Sequence, residues 1–185
     1  NFRNFIWLGC EYSLSYDIIP FDWTVWYLKK KIYLISTILL IVDQFVKHLV
    51  IANISYSDTI FLVPKFFYLT YVKNTGGAWS IFQDNFIFLL CISIAAIVFF
   101  FYYLSKKENY SIIEIIYLGL LFGGVLGNFI DRLCYHGVVD YLGFIFGSYY
   151  FPIFNIADIS IVCGGILFLI DSFGGDKHGV TSRTN

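Results

Sequence analysis

The chain consists of long apolar runs separated by short polar connections. Four of these runs reach the roughly 20 residues that a helix needs to cross about 30 Å of hydrocarbon. They are IYLISTILLIVDQFVKHLVIA from Ile32, FIFLLCISIAAIVFFFYYL from Phe86, IIEIIYLGLLFGGVLGNFI from Ile112 and IADISIVCGGILFLIDSF from Ile156. Because the apolar residues follow one another without alternating with polar ones, the pattern predicts four membrane-spanning helices and no membrane strands.

Composition supports the membrane class and excludes others. Of the 185 residues, 58% are hydrophobic and 14% are charged, whereas soluble domains carry about 25% charged residues. A net charge of -1 with no stripe of Lys or Arg argues against a nucleic-acid partner. Because the cysteines (Cys10, Cys91, Cys134 and Cys163) show no CxxC spacing and the histidines no HExxH pattern, neither a metal nor another cofactor is expected.

The positive charges predict the orientation of the chain. Basic residues cluster at three places: Lys29 to Lys31 before the first run, Lys106 and Lys107 between the second and third, and Lys177 and Arg183 after the fourth. Four crossings place all of these clusters on one side, which is the cytoplasmic side by the positive-inside rule. Both termini are therefore predicted to be cytoplasmic, and residues 53–85 and 131–155 connect the helices on the outer face.

The first outer connection is too long for a simple turn. Its FFYLTYV run from Phe66 is aromatic and β-branched, which favours a short strand, and NTGG from Asn74 supplies a turn. We therefore expect an all-α membrane protein of four transmembrane helices that also carries a small extracytoplasmic β-sheet.

The same pattern divides the chain into three parts. Residues 1–28 form an N-terminal extension of unknown role, residues 29–175 the four-helix membrane domain and residues 176–185 a cytoplasmic tail. The extension does not resemble a clean signal peptide, since Glu11, Asp17 and Asp22 interrupt its apolar content.

Polar side chains concentrate where the third span ends and the fourth begins. Asn128 and Asp131 form one Asn-x-x-Asp pair, and Asn155 and Asp158 form a second, so each pair lies on one helix face. Between them, Asp140 is the only acidic residue of an apolar stretch, GVVDYLGF. Asp140 and Asp158 are thus expected at the same membrane surface.

Two carboxylates in a partly dehydrated site do not both ionise readily, so they share one proton and titrate as a unit. An aspartic protease uses this arrangement: the ionised carboxylate deprotonates a water while the protonated one hydrogen-bonds the scissile carbonyl. Asn155 is a good N-cap residue, which places Asp158 near the positive end of a helix dipole. This favours the ionised form of Asp158, and the hypothesis is that Asp158 acts as the base and Asp140 as the acid, although the sequence does not decide between the two assignments.

Structural readings of the same residues remain open at this stage. Asp158 with Asn155 is equally explained as a helix cap. For Asp131, an interfacial ion pair with Arg132 is the favoured interpretation.

Asp43 and Lys47 lie four residues apart on one face of the first span. A structural pair that locks the bundle is the favoured reading for Asp43. Alternatively, Lys47 extends outward and helps to hold a substrate lipid or backbone near the outer surface.

Four motifs give the chain a family resemblance. DQFVK in the first span, VKNTGGAWSIF in the outer connection, GNFIDRLCYHGVVDYLGF and FPIFNIADISIVCGG occur in order, each at the edge of a span. From about Lys30 to Phe173 the chain resembles the lipoprotein signal peptidases, also called signal peptidase II. The first 28 residues have no counterpart in that family.

The resemblance implies an aspartic endopeptidase of the bacterial cell membrane that removes signal peptides from prolipoproteins, cutting before a diacylglyceryl-modified cysteine. It implies a sheet cradle and an amphipathic flap over the site, no cofactor, contact with membrane lipids and inhibition by globomycin. The catalytic pair would be Asp140 and Asp158. The supporting polar residues would be Asp43, Lys47, Asn74, Asn128, Asp131, Arg132 and Asn155.

Two other classes of membrane protein fit the sequence less well. An intramembrane aspartic protease similar to presenilins or prepilin peptidases would carry a GxGD motif, but neither Asp140 nor Asp158 follows Gly-x-Gly. A transporter or channel subunit that relays protons would carry acids near mid-membrane in several spans, whereas most of the acids here cluster at one face.

Overall fold

The computed structural model describes residues 23–77, 82 and 85–174. The helices are α1 (Trp23–Asn53), α2 (Phe86–Lys106), α3 (Ile112–Tyr135) and α4 (Ile156–Gly174). The strands are β1 (Thr59–Val63), β2 (Phe67–Asn74), β3 (Val138–Phe146) and β4 (Tyr149–Tyr150). All 4 helices are long and apolar enough to cross a membrane. The predicted fold class, four spanning helices with a small sheet, is confirmed.

Helix α1 is longer than the apolar run that predicts it. It begins at Trp23 and includes Lys29 to Lys31, so it continues through the boundary predicted between residues 28 and 29. The ammonium of Lys30 lies 3.6 Å from the centre of the Trp26 ring, a cation–π contact that a helical spacing of four allows. Most of the predicted extension and the whole predicted tail, residues 176–185, lie outside the described residues.

Helix α3 is the centre of the bundle and packs against each of the other three helices. Glycines allow the close approach, as expected for membrane helices. A side chain at Gly124 would place its Cβ 2.5 Å from the carbonyl oxygen of Ala157 on α4, and one at Gly123 would meet the carbonyl oxygen of Ser36 on α1 at 2.9 Å. Further along the bundle, the rings of Phe100 and Phe122 stack at 3.8 Å.

The strands form one antiparallel sheet in the order β1-β2-β3-β4. The FFYLTYV strand prediction corresponds to β2, whereas the sequence pattern did not identify β3, which starts three residues after α3 ends. Tyr141 of β3 is buried and packs with Val50 and Ile54 at the end of α1. The sheet is thereby attached to the end of the helix bundle.

The turn from α3 into β3 depends on its C-cap. His136 adopts the left-handed conformation (φ 55) and donates its backbone N–H to the carbonyl of Arg132. Gly137 follows, where a Cβ would come within 2.7 Å of the Lys73 side chain on β2. Because the left-handed residue ends the helix, the chain reverses and enters the sheet beside β2.

We predict that Gly124→Ala destabilises the protein by about 1–3 kcal/mol, because the added methyl must push α3 away from α4. Thermal unfolding of the detergent-solubilised variant measures this. Gly165→Ala on α4 is the matched control, since a Cβ there meets nothing within 4 Å. Equal unfolding midpoints for the two variants would contradict the close packing of α3 on α4.

Candidate active site

A cavity of ≈ 780 Å³ lies where the sheet meets the helix bundle. Its walls come from β2, β3, the segment before α4, and the facing parts of α2, α3 and α4. Asp140 and Asp158, the two carboxylates that the sequence singles out as a pair, both line it. One compartment therefore holds both side chains.

Strand pairing positions Asp140. It lies opposite Val72 of β2, and Asn74 lies two residues further along on the same face. This diagonal placement lets the amide of Asn74 donate to Oδ2 of Asp140 at 3.0 Å. The other end of that amide, Oδ1, accepts the backbone N–H of Gly76 at 2.9 Å, which fixes its direction.

The start of α4 positions Asp158. The backbone N–H of Asp158 donates to Oδ1 of Asn155 at 2.9 Å, and the backbone N–H of Asn155 donates to Oδ2 of Asp158 at 3.2 Å. These reciprocal bonds are those of a capping box. The helix-cap reading of Asp158 therefore holds, and the same side chain also faces the cavity.

Backbone pairing brings the two aspartates together. Phe154, which directly precedes Asn155, exchanges hydrogen bonds with Leu142 of β3, donating at 3.1 Å and accepting at 2.9 Å. This bridge places the N-cap of α4 against the strand that carries Asp140. The connection between β3 and α4 thus returns the chain to the strand that it has just left.

Two amide side chains, those of Asn155 and Asn128, bridge the two carboxylates. The amide of Asn155 donates to Oδ1 of Asp140 at 2.7 Å, and that of Asn128 donates to Oδ1 of Asp158 at 2.8 Å. Asn155 also donates to Oδ1 of Asn128 at 3.3 Å. A continuous hydrogen-bond path therefore runs from one carboxylate to the other.

Asp140 is 2% exposed. Burial, followed by the negative charge of Asp158, raises the pKa of Asp140 to about 7, although hydrogen bonds from Asn74 and Asn155 act in the opposite direction. Near neutral pH this carboxyl group is therefore present in both its protonated and its ionised forms, so it can serve as a proton donor.

Behind the cavity lies a buried charged cluster. The ammonium of Lys47 contacts Oδ2 of Asp43 and Oδ2 of Asp131, each at 2.7 Å, and donates to Oδ1 of Asn128 at 3.2 Å. Lys47 is 1% exposed and both carboxylates are 0% exposed. The bundle-locking interpretation fits the Asp43–Lys47 pair, whereas the outward extension of Lys47 to a substrate is wrong.

The prediction of an ion pair between Asp131 and Arg132 is also wrong. Consecutive residues point about 100° apart on a helix, so Asp131 turns inward to Lys47 while Arg132 lines the cavity. The guanidinium of Arg132 reaches Oγ of Ser93 at 3.5 Å and the carbonyl of Asn128 at 3.4 Å. Both distances are long, and Arg132 lines the compartment that holds the two aspartates.

All nine side chains predicted for the site belong to this one network or line the cavity, and sequence reasoning missed two neighbours. Gln44 on α1 donates to Oδ1 of Asp131 at 2.8 Å, and Ser93 is the α2 partner of Arg132. Gln44 could have been found, since it precedes Lys47 by three residues and so shares its helix face. Within the described residues, no three His, Cys, Asp or Glu side chains converge as metal ligands.

Fold and site together define a multi-pass membrane protein with a carboxylate pair in a cavity at one end of its bundle. A family profile for signal peptidase II matches residues 35–174. A lipoprotein signal peptidase of Bacillus pumilus is 39% identical over 152 residues, which cover 82% of this chain and 98% of the relative. One of Listeria monocytogenes is 37% identical over 145 residues, covering 78% and 94%.

Solved structures agree with the sequence comparisons. A bacterial membrane enzyme determined at 2.3 Å aligns with a TM-score of 0.76 and 31% identity, over 86% of this chain and 96% of its own. A second, determined at 1.9 Å, aligns with a TM-score of 0.69 and 34% identity, over 79% and 94%. The chain therefore belongs to the signal peptidase II family, and it is a membrane peptidase.

We predict that Lys47→Met destabilises the protein by about 3–5 kcal/mol, because it leaves two buried carboxylates without their cation. Unfolding of the detergent-solubilised variant measures the change. The exposed Lys106, replaced by Met, is the control, and a double variant with Asp43→Asn should recover part of the loss. If the Met variants at 47 and 106 are equally stable, Lys47 does not hold the cluster together.

Proposed function

We propose that this chain is an aspartic endopeptidase in which Asp140 and Asp158 cleave the signal peptide from prolipoproteins. Removal of signal peptides from prolipoproteins is the role of the family. The main support for the proposal is that the two carboxylates line one cavity and are joined through two amide side chains. No serine or cysteine nucleophile is needed for this chemistry, since the attacking group is water.

The two carboxylates have different surroundings, which supports different roles. Asp158 lies in the first turn of α4, where backbone N–H groups and the helix dipole stabilise a negative charge. Asp140 lies on a buried strand and has a pKa of about 7. Asp158 therefore takes the proton from water as base, and Asp140 donates a hydrogen bond to the scissile carbonyl as negative charge develops on its oxygen.

The shape of the cavity suits a substrate that remains in the membrane. Helices α2 and α4 both pack on α3, and their facing apolar side chains, including Ile92, Ala96 and Val162, form one wall of the cavity. The polar groups, among them Arg132, lie near the sheet. A lipid-modified cysteine can therefore keep its acyl chains against the apolar wall while its peptide bond reaches Asp140 and Asp158, and the cut falls before the diacylglyceryl-modified cysteine.

The positive charges support the orientation. Lys29 to Lys31 lie in the N-terminal part of α1, and Lys106 ends α2 at the same side of the bundle, away from Asp140 and the sheet. By the positive-inside rule that side is cytoplasmic. Both termini then face the cytoplasm, and the catalytic pair and the sheet lie at the extracytoplasmic face of the bacterial cell membrane. Globomycin, which blocks enzymes of this family, is the expected inhibitor.

We predict that Asp140→Asn and Asp158→Asn each reduce the rate of cleavage at least about 1000-fold. An amide cannot accept a proton from water, and it cannot carry the proton that the two carboxyl groups share. The measurement is release of the signal peptide from a purified precursor that carries the diacylglyceryl group. Asp58→Asn is the matched control, since that residue lies in the outer connection before β1 and is exposed.

Two further measurements test the lipid requirement and inhibition by globomycin. The precursor without its diacylglyceryl group should be cleaved poorly, and globomycin should stop cleavage by the unmodified enzyme. Full activity of either Asn variant would refute the assignment of the catalytic pair. Equal cleavage of modified and unmodified precursor would refute the lipid requirement alone.

The pH dependence follows from the acid role of Asp140. As the pH rises through about 7, this residue loses its proton, so it can no longer donate to the carbonyl and two negative charges repel each other across the site. We therefore expect kcat to fall on the alkaline side with an apparent pKa near 7. Initial rates between pH 5 and 9 in one detergent test this, and a rate that climbs steadily to pH 9 would exclude a protonated Asp140.

A further inference from the structure

Gln44 lies between two buried carboxylates on neighbouring helices. Its amide nitrogen donates to Oδ1 of Asp131 at 2.8 Å and to the carbonyl of Gly127 at 3.2 Å, and it lies 3.4 Å from Oδ2 of Asp43. It thus joins α1 to α3 at the level of the site without facing the cavity. Nothing in the proposed chemistry uses this side chain.

The two carboxylates hold the backbone beside each catalytic residue. Oδ1 of Asp43 accepts the N–H of Ala157 at 3.0 Å, and Oδ2 of Asp131 accepts the N–H of Val139 at 3.0 Å. Ala157 directly precedes Asp158, and Val139 directly precedes Asp140. The separation of the proposed catalytic residues therefore depends on where these two carboxylates lie.

The cluster is short of positive charge. It contains two carboxylates and one ammonium, that of Lys47, all at most 1% exposed. A buried carboxylate persists only if hydrogen bonds satisfy its oxygens. Oδ2 of Asp131 has Lys47 and the N–H of Val139, whereas the donor that the structure gives to Oδ1 is Gln44. Gln44 therefore supplies a neutral donor where the cluster lacks a second cation.

We propose that Gln44 is a positioning residue for the peptidase: by holding Asp131, it fixes Val139 and hence the direction in which β3 presents Asp140. The inference rests on the proposed catalytic pair. Small misplacements of a catalytic group reduce rates steeply, even when the substrate still binds. Loss of the Gln44 hydrogen bond is thus expected to lower kcat and to leave KM unchanged.

Gln44→Leu tests this in the full-length enzyme with the diacylglyceryl-modified precursor. We expect kcat to fall about 10-fold with KM unchanged, because a charge-assisted hydrogen bond is removed from the group that sets Asp140. Ser36→Ala is the matched control, since Ser36 also links α1 to α3, donating to the carbonyl of Gly119 at 3.1 Å, several turns from the site. It should lower the unfolding midpoint without lowering kcat.

Gln44→Glu gives a readout that packing alone would not move. Protonated, the new side chain can donate to Asp131 as the amide does; ionised, it adds a third negative charge beside Asp43 and Asp131. Lys47 and His48 follow on the same helix, and the His48 ring lies 2.7 Å from the backbone carbonyl of Gln44. Tyr135 on α3 and Tyr141 on β3 also interact with Asp131, but phenols ordinarily titrate at about pH 10, outside the range tested. The kcat of this variant relative to the unmodified enzyme should therefore rise several-fold from pH 8 to pH 5.5, while the ratio for the Leu variant stays flat.

The outcomes separate the two proposals. Asp158→Asn is measured alongside; if it remains active, the catalytic pair is wrong and the role of Gln44 loses its basis. If Asp158→Asn is inactive but Gln44→Leu keeps full kcat, only the positioning role is refuted. A pH-independent ratio for Gln44→Glu, or a kcat loss in Ser36→Ala equal to that of Gln44→Leu, would likewise refute it, since both would indicate a general effect of helix packing.

Discussion

The structure of the site depends on one buried ammonium. Lys47 bridges Asp43 and Asp131, which come from α1 and α3, and each of these carboxylates accepts a backbone N–H from a different element, Ala157 at the start of α4 or Val139 at the start of β3. Four elements are thus tied to a single charge. Such a cluster adds little net stability over an apolar core, yet it specifies one arrangement, because any displaced partner leaves a bare charge in a dry interior.

The amide side chains then carry this order from the cluster into the cavity. Asn128 accepts from Lys47 and donates to Asp158, and Asn155 donates to Asp140 while capping α4. An amide has distinct donor and acceptor ends, so each contact fixes the direction of the next. This explains why the chain places several polar residues at the edge of hydrocarbon: each one satisfies another, and together they orient the two carboxylates.

Hydropathy alone predicts the four helices well, because spanning a membrane leaves the backbone few alternatives. The spacing of polar residues also identifies Asp140 and Asp158 as a pair. The partner of Asp131 was not predictable, since it depends on how α1 and α3 are rotated about their axes, and local spacing favours the adjacent Arg132 instead. The spacing of Gln44 and Lys47 places both on one face of α1, but the partner of Gln44, Asp131, lies 87 positions away in the chain and could not be predicted for the same reason. Strand β3 was not identified because apolar and polar residues do not alternate along it.

The two aspartates also differ in the kind of backbone that carries them, and this difference bears on the chemistry. A strand in a sheet offers only a small net dipole to its side chains, whereas the first turn of a helix offers unpaired N–H groups and a partial positive charge. Asp140, on β3, depends on its neighbours to become ionised; Asp158, in α4, has a backbone that favours the charge. Identical side chains placed on identical elements would compete equally for one proton. One carboxylate lies on a strand and the other at a helix N-terminus, and this difference supports the proposed division into a proton donor and a base.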